Sequence, residues 1–379
     1  MTRNSLSTLL LTLICTTLLL CCFVIISSAQ ETKTRPAHIG FVYPLSTNGT
    51  DAANYSNNFS LHILAGLANN ENSFCLAGIS NVVKCNASGV IIAGLSNHIG
   101  HNAKGMQLAG LVNTIKNNAE GVQLAGLANV TGNSNGVQIA GLANVAKAVE
   151  GVQIAGFVNT AKNANTQVAG FSNLSTNASD VQIAGFINTS QEAKSQVAGF
   201  INVAKKVSGL QIAGFINIAE ESNYPIGLIN ISKNGEKQLG ITLDETGSTV
   251  LALRSGGKVL YGILGVGYNF RNENAKYVLE GGIGAHFPIT PVFRANLEIT
   301  ASALSDIQYD VYFKTTTRLL AACKLANRIE FFAGPTFNHL GFDRYQHDIR
   351  KDNYIWSRKN PNYFNGLYIG LMGGIQINL

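Results

Sequence analysis

Five titratable residues in the C-terminal third of the chain have the types and spacing to form one charged cluster. They share one parity of the predicted β-strands, and alternate residues of a strand point to the same face of a sheet. Three carboxylates, an arginine and a histidine on one face would form a buried salt-bridge network or a constriction that sets ion selectivity. Acid–base catalysis would also need a substrate pocket around the carboxylates, and no sequence feature indicates one. The five residues are Glu280, His286, Arg294, Glu298 and Glu330.

A second candidate site is the segment 342–359, which lies between two predicted strands and is rich in aromatic and basic residues. Tryptophan, tyrosine and arginine are enriched at binding hot spots, and this segment contains the only tryptophan of the chain. The composition predicts an outer loop that binds a partner, or an ordinary solvated loop whose cations face lipopolysaccharide. The candidate binding residues are Arg344, Tyr345, His347, Arg350, Lys351, Tyr354, Trp356 and Arg358.

No other motif indicates catalysis or a cofactor. His98 and His101 fall in one predicted turn, but two histidines without a further ligand are a weak metal signal. The glycine-rich run 281–284 lies inside a predicted strand, whereas a dinucleotide-binding loop is followed by a helix. We therefore expect no metal, no cofactor and no enzymatic activity. The formal charge of +6 is spread along the chain, which argues against nucleic acid as a partner.

The elements that must position these residues begin with a repeat. The phrase Val-Gln-Ile-Ala-Gly-Phe-x-Asn recurs with small changes, and apart from the first interval of 12 residues the copies follow each other every 13 to 16 residues. Within one copy, such as residues 180–190, the two parities of the chain differ in polarity, which is typical of a β-strand. Units this small bury their apolar side only against their neighbours. The copies align on Gly66, Gly78, Gly94, Gly110, Gly126, Gly141, Gly156, Gly170, Gly185, Gly199, Gly214 and Gly227.

Two arrangements of the repeat strands are open. A parallel β-solenoid would stack identical residues into ladders, such as Gln182 on Gln196 and Asn188 on Asn202. Antiparallel hairpins would instead place Gln opposite Asn, because the unit reads as a near-palindrome about its glycine, and such cross-strand pairs are favourable. The alternating spacing of the glycines, and the strand rhythm that continues beyond residue 232, favour the antiparallel arrangement.

The last third of the chain predicts a membrane barrel. From residue 258 onward, strands of ten or more residues place apolar side chains on one face and glycine or charge on the other, which is the signature of a transmembrane barrel. We predict an all-β fold, namely an antiparallel β-meander of short strand-turn repeats that closes as an outer-membrane β-barrel of roughly 20 strands. The alternative is a β-solenoid followed by an eight-stranded barrel. The predicted regions are a signal peptide (1–29), a lead-in with the first strand (30–54), the repeat strands (55–232) and barrel strands continuous with them (233–379).

The N-terminus and the composition indicate export. Arg3, a long apolar stretch and small residues before Gln30 resemble a cleaved signal peptide. Only 13% of the residues are charged, against about 25% in typical soluble domains. In an oxidising compartment Cys75 and Cys85, which flank one repeat junction, would form a disulfide or remain as small apolar residues.

The GVQIAGF-x-N repeats, followed by glycine-rich alternating strands, resemble the surface repeat-containing outer-membrane proteins of Bacteroidetes and spirochaetes. The resemblance covers residues 55–379. It implies a place in the bacterial outer membrane, at the cell surface, with outer-membrane lipid and the barrel-assembly machinery as partners, and it implies no activity. We expect a non-enzymatic surface or structural barrel whose outer loops contact a ligand or host material. The alternative is a passive pore or transporter.

Overall fold

The computed structural model describes residues 33–257, 259–307, 311–326, 328–343, 346, 348–349 and 353–379, so the predicted signal peptide (1–29) lies outside it. Within these residues the chain is all-β, as predicted, and its strands form two sheets. The first sheet has 21 strands and the second has nine. Two short 3-10 helices, Gly49–Asn54 and Glu273–Ala275, accompany them.

The first sheet is a parallel β-solenoid, in which only the β1–β2 pair is antiparallel. Its strands are β1 (Lys33–Val42), β2 (Leu45–Ser46), β3 (Tyr55–Ala68), β4 (Asn70–Ala77), β5 (Ser80–Val83), β6 (Ala87–Ala93), β7 (Ser96–Ile99), β8 (Ala103–Ala109), β9 (Val112–Ala125), β10 (Ala128–Ala140), β11 (Ala143–Val145), β12 (Ala148–Ala155), β13 (Val158–Ala169), β14 (Ser172–Ala184), β15 (Ile187–Thr189), β16 (Glu192–Ala198), β17 (Ile201–Val203), β18 (Lys206–Ala213), β19 (Ile216–Ile218), β20 (Glu221–Ile226) and β21 (Ile229–Ile231).

The repeat phrase forms one coil of the solenoid because each of its positions has a fixed environment. The Gln, the Ala and the Asn point into the interior, and the Gly-Phe pair makes an exposed corner between two strands. Identical residues of successive coils then face each other, as Gln182 does Gln196 and Asn188 does Asn202. The buried Asn side chains form a continuous ladder in which, for example, Asn159 Nδ2 donates to Asn173 Oδ1 (3.0 Å) and to the Val168 carbonyl oxygen (2.8 Å).

The corner glycine is required by the close approach of successive coils. A Cβ on Gly110 would lie 2.0 Å from the carbonyl oxygen of Gly94 in the preceding coil. No side chain is compatible with that distance, since ordinary van der Waals contact begins near 3.4 Å. Glycine at this corner therefore follows from the coil spacing of about 4.8 Å.

The predicted antiparallel pairing of the repeats is wrong, and so is a single barrel of roughly 20 strands. The near-palindromic repeat unit made antiparallel Gln–Asn pairs plausible, but this interpretation treated the unit as one straight strand and overlooked the turn within it. The chain turns at Gly185 and Phe186, so the halves of the unit lie on different sides of one coil (β14 and β15). Like residues then stack, and the Asn ladder satisfies the buried amides that an apolar interior would leave costly.

The second sheet is an antiparallel barrel of eight strands, closed by pairing of its first strand with its last. A ninth, short strand, β29, pairs only with the start of β30. The strands are β22 (Glu236–Asp244), β23 (Ser248–Gly256), β24 (Leu260–Asn269), β25 (Tyr277–Pro288), β26 (Phe293–Ser305), β27 (Val311–Lys324), β28 (Ile329–Asp343), β29 (Trp356–Lys359) and β30 (Tyr363–Asn378). The arrangement corresponds to the alternative of a solenoid followed by an eight-stranded barrel.

The last coil of the solenoid ends on the outer wall of the barrel. Asn230, the final member of the Asn ladder, has no further coil to pair with. Its backbone N–H instead donates to Ser255 Oγ (2.9 Å), and its Nδ2 donates to the Ser255 carbonyl oxygen (2.8 Å). The outer surface of β23 and β24 therefore caps the exposed edge that a solenoid otherwise leaves unpaired.

Of the two alternatives for Cys75 and Cys85, the disulfide does not form, and both thiols are free. Cys75 points into the solenoid and its Sγ donates to Asn81 Oδ1 (3.0 Å). Cys85 lies at a corner, where its Sγ donates to Asn69 Oδ1 (3.3 Å). The two side chains belong to different environments of the coil, although they are close in sequence.

Candidate functional sites

The barrel lumen contains a buried cluster of alternating charges, which we call the central ion-pair cluster (Arg254, Glu280, Glu298 and Arg318). Arg254 Nε lies 2.8 Å from Glu298 Oε1, and Arg318 Nη1 lies 3.2 Å from Glu298 Oε2. Arg318 also pairs with Glu280. Each of the four side chains is at most 2% exposed, so two arginines and two carboxylates neutralise each other away from bulk solvent.

A second group of charges lies nearer the rim where β22 begins. Arg294 joins Glu330 and Glu236, with N–O distances of 2.8 Å to each. His286 Nδ1 hydrogen-bonds to Asn296 Oδ1 (2.9 Å) and does not bind a carboxylate closely, since its Nε2 lies 3.7 Å from Glu236. The five residues selected from the sequence thus all lie in the lumen, but they divide between two groups.

The basic and hydroxyl partners of these carboxylates were not among the residues selected from the sequence. Arg254 and Arg318 lie on the lumen face of β23 and β27, and Tyr261 donates its hydroxyl to Glu298 Oε1 (2.9 Å). Lys314 pairs with Asp244 in the same way. The parity rule that selected Glu280 would have selected Arg318, because β27 alternates as strictly as its neighbours.

The candidate outer loop is described only in part. Arg344, Tyr345, His347, Arg350 and Lys351 lie outside the described residues. The other three candidates, Tyr354, Trp356 and Arg358, are described.

These three residues differ in their environment. Tyr354 turns toward the barrel, where its ring contacts Phe364 and its hydroxyl donates to Asp348 (2.6 Å). Trp356 and Arg358 lie exposed on β29. Only the latter two are placed to meet a partner from solution.

The solenoid carries a continuous apolar stripe on its exterior, which we call the apolar corner row. It consists of the residue that follows each corner glycine, and from Phe157 onward the rings stack with centroids 4.8 to 5.2 Å apart. Members from Leu95 to Phe200 are 38–50% exposed, so the stripe is open over eight coils. The row consists of Ile79, Leu95, Leu111, Leu127, Leu142, Phe157, Phe171, Phe186, Phe200, Phe215 and Leu228.

Another corner of the same coils carries a polar row, linked by backbone hydrogen bonds from coil to coil. Its side chains are charged or amide groups exposed to solvent. The solenoid is therefore amphipathic, with one apolar and one polar edge. The polar corner row consists of Lys147, Lys162, Asn177, Gln191, Lys205, Glu220 and Lys233.

The first coils of the solenoid enclose a polar cluster that was not anticipated from the sequence. His38, His62 and Glu71 are buried, and one potential ligand atom from each lies within 4.8 Å of the others. The rings of His38 and His62 meet edge to face, with centroids 4.5 Å apart. Asn57 and Ser60 donate to Glu71 Oε1 at 3.0 and 2.8 Å.

Burial dominates the electrostatics of this polar cluster. It raises the pKa of Glu71 to about 7, although the hydrogen bonds from Asn57 and Ser60 act in the opposite direction. Burial also lowers the pKa of His62 to about 4, and the neighbouring His38 lowers it further. The pKa of His38 is lowered by burial as well. Both imidazoles are thus neutral at neutral pH and retain a lone pair.

The fold and these sites define a class of protein, in which a parallel, amphipathic β-solenoid is joined to a closed eight-stranded barrel filled by ion pairs. No family model matches the chain, and no match is found among curated proteins or solved structures. Among the described residues, no helix is both long enough and apolar enough to cross a membrane.

Proposed function

We propose that the protein is a non-enzymatic β-barrel of the bacterial outer membrane, and that its barrel anchors the solenoid to the bilayer. The observation that carries this proposal is the polarity of the barrel wall. Its outward side chains are large and apolar, including Val266, Leu279, Phe313 and Leu371, whereas its lumen holds the buried charges. A barrel in water would have the opposite distribution, and a barrel in lipid has this one.

Strand length supports the same conclusion. The barrel strands from β25 to β28, together with β30, have 12 to 16 residues. About 9–11 tilted residues suffice to cross the hydrocarbon core. All backbone groups of a closed barrel are paired, which is the condition for a strand to lie in lipid.

The lumen supports a structural role over transport or catalysis. An eight-stranded barrel has an interior just wide enough for side chains to fill. The four residues of the central ion-pair cluster are at most 2% exposed, whereas a water-filled channel would leave them accessible. Their carboxylates are engaged by arginines in buried ion pairs, which disfavours a role as catalytic acid or base. These observations disfavour the passive pore.

Replacing Leu371 by arginine tests the membrane span. Leu371 lies in the middle of β30 and is 68% exposed; Leu325, in the turn after β27, is 67% exposed. In water both substitutions would be equally harmless. In a bilayer we expect Leu371→Arg to lower the free energy of unfolding by about 2–3 kcal/mol, and Leu325→Arg to change it by less than about 0.5 kcal/mol. Urea unfolding in liposomes, followed by the gel shift of the folded barrel, measures both.

Equal effects of the two substitutions would contradict a barrel that crosses the bilayer. Stepwise ion currents from the wild-type protein in planar bilayers would instead contradict the closed lumen. The two results are independent, so either part of the proposal can fail alone.

The apolar corner row extends the proposal to the solenoid. Its last members, Phe215 and Leu228, line a groove with Leu264, Leu279 and Phe313 of the outer barrel wall. The stripe is therefore continuous with the surface that we assign to lipid. We propose that the same bilayer covers the corner row, while the polar corner row remains in water, as in other amphipathic elements at a membrane interface.

A tryptophan placed on each row would distinguish lipid from water. In a background with Trp356→Phe, we expect brominated lipids to quench the fluorescence of a Phe186→Trp variant strongly and that of a Gln191→Trp variant weakly. Phe186 and Gln191 belong to the same coil, one on each row. Weak quenching of both variants would contradict the lipid contact, and a second copy of the chain on the corner row would then appear as a dimer in detergent.

A further inference from the structure

The buried cluster in the first coils of the solenoid has ionisable side chains at interior positions where later coils have small ones. Residues at the same position of successive coils form an interior row. His62 lies in the interior row that continues with Ala77 and Ala93, and Glu71 lies in the one that continues with Ala87 and Ala103. Later coils place alanine in the first of these rows and alanine, serine or valine in the second, so neither row carries another ionisable side chain. The two first coils instead place an imidazole and a carboxylate there, facing the imidazole of His38.

One atom of the cluster has no partner within the protein. His62 Nε2 is buried without a hydrogen bond, and the side chain as a whole is 3% exposed. Buried polar atoms are almost always paired, and an exception needs an explanation. A bound ion at this position would supply the missing partner.

The other two ligands are held by hydrogen bonds that would orient them toward a metal. His38 Nε2 lies 2.9 Å from Ser46 Oγ, and its Nδ1 lies 3.3 Å from Asn57 Nδ2. With its proton on Nε2, donated to Ser46 Oγ, the ring accepts the Asn57 hydrogen bond at Nδ1, and a metal ion would replace this hydrogen bond at the Nδ1 lone pair. Asn57 and Ser60 orient Glu71, as outer residues commonly orient metal ligands.

We propose that His38, His62 and Glu71 bind a divalent transition-metal ion, with Zn²⁺ as the best fit. Two neutral imidazoles and one carboxylate are a common ligand set for zinc, and nitrogen ligands select transition metals over Mg²⁺ and Ca²⁺. Zinc–nitrogen bonds of about 2.0 Å place two ligand atoms about 3.3 Å apart in a tetrahedral site. The present separations of up to 4.8 Å need only small side-chain rotations to reach that geometry.

The location gives the ion a structural role. It would join β1, β3 and β4, the first strands of the solenoid, at the end that no barrel covers. Terminal coils of a solenoid are the ones with fewest neighbours and require a cap. A metal that binds only the folded coils stabilises them by mass action.

The repeat itself provides variants that should fold. His62→Ala and Glu71→Ala introduce the residue that the next coil has in the same row, namely Ala77 and Ala87. His101→Ala removes an exposed histidine of the solenoid and is the matched control.

The assay uses the full chain, purified without a histidine tag. The protein is stripped with EDTA, incubated with Zn²⁺ and dialysed, and its metal content is then measured by mass spectrometry. Far-UV circular dichroism verifies that each variant is folded.

We expect about one zinc per chain in the wild type and in His101→Ala, and at least about tenfold weaker binding in His62→Ala and Glu71→Ala. Cobalt bound in place of zinc should give visible absorption bands in the wild type that both alanine variants lose. Folded wild type that retains no zinc would overturn the proposal. Retention of zinc by folded His62→Ala and Glu71→Ala would place the metal elsewhere and would overturn it as well.

Discussion

Glu298→Gln is expected to destabilise the barrel by about 3–5 kcal/mol, the usual cost of removing one partner of a buried ion pair. Glu298 is fully buried and binds Arg254, Arg318 and Tyr261. Glutamine has nearly the same shape, so the loss comes from charge and not from a cavity. It leaves two buried guanidinium groups with only Glu280 to compensate them.

The measurement is urea unfolding of the detergent-solubilised protein, followed by the mobility of folded and unfolded barrel on gels. Glu273→Gln removes an exposed carboxylate of the same barrel and should change the free energy of unfolding by less than about 0.5 kcal/mol. A double variant with Arg254→Met should regain part of the loss, because Arg254 pairs with Glu298, whereas Arg318 keeps Glu280 as its partner. An effect of Glu298→Gln as small as that of Glu273→Gln would contradict a dry lumen.

The charged residues of the lumen show what the alternation of strand residues can predict from sequence, namely the face on which a residue lies but not its partner. Parity alone placed Glu280, Arg294 and Glu298 inside the barrel, because a β-strand has only two faces and one of them is apolar. Parity cannot say which strands are opposite each other across the lumen. The pairing of Glu298 with Arg254 depends on barrel closure and strand stagger, which are properties of the whole sheet.

The repeat could be recognised from the sequence, but strand direction could not be derived from pairwise preferences. Gln–Asn and Gln–Gln contacts both satisfy an amide, so the palindromic unit fits either direction. Direction is decided by two features of the coil. The Asn amide reaches both the Asn of the next coil and a backbone carbonyl, and the corner glycine allows that coil to approach.

The polar cluster of His38, His62 and Glu71 could be found only after the register was known. The three residues are widely spaced in sequence and match no metal-binding motif. Parallel stacking brings them into one interior space, since residues at the same coil position are about 4.8 Å apart whatever their separation along the chain. Single departures from a repeat, such as His62 in a row of alanines, were the available signal.

Asn159→Leu tests the ladder that fixes this register. Leucine has a similar volume but leaves Asn173 Oδ1 without its donor and removes an acceptor of Asn144 Nδ2. Each buried polar group without its partner costs about 1–3 kcal/mol, so the total loss should be roughly 4 kcal/mol. Asn163→Leu, on the exposed face of the same strand β13, is the control and should be nearly neutral.

The loss should also be local, because each coil of a solenoid contacts only its neighbours. Hydrogen exchange followed by mass spectrometry should show faster exchange in the coils from β11 to β15 of Asn159→Leu, and unchanged exchange in the barrel strands β25 to β28. Antiparallel hairpins would not connect Asn144, Asn159 and Asn173 through their side chains. Unchanged exchange throughout the solenoid would therefore mean that the ladder is not what holds successive coils in register, and the stacking would have to rest on the backbone hydrogen bonds alone.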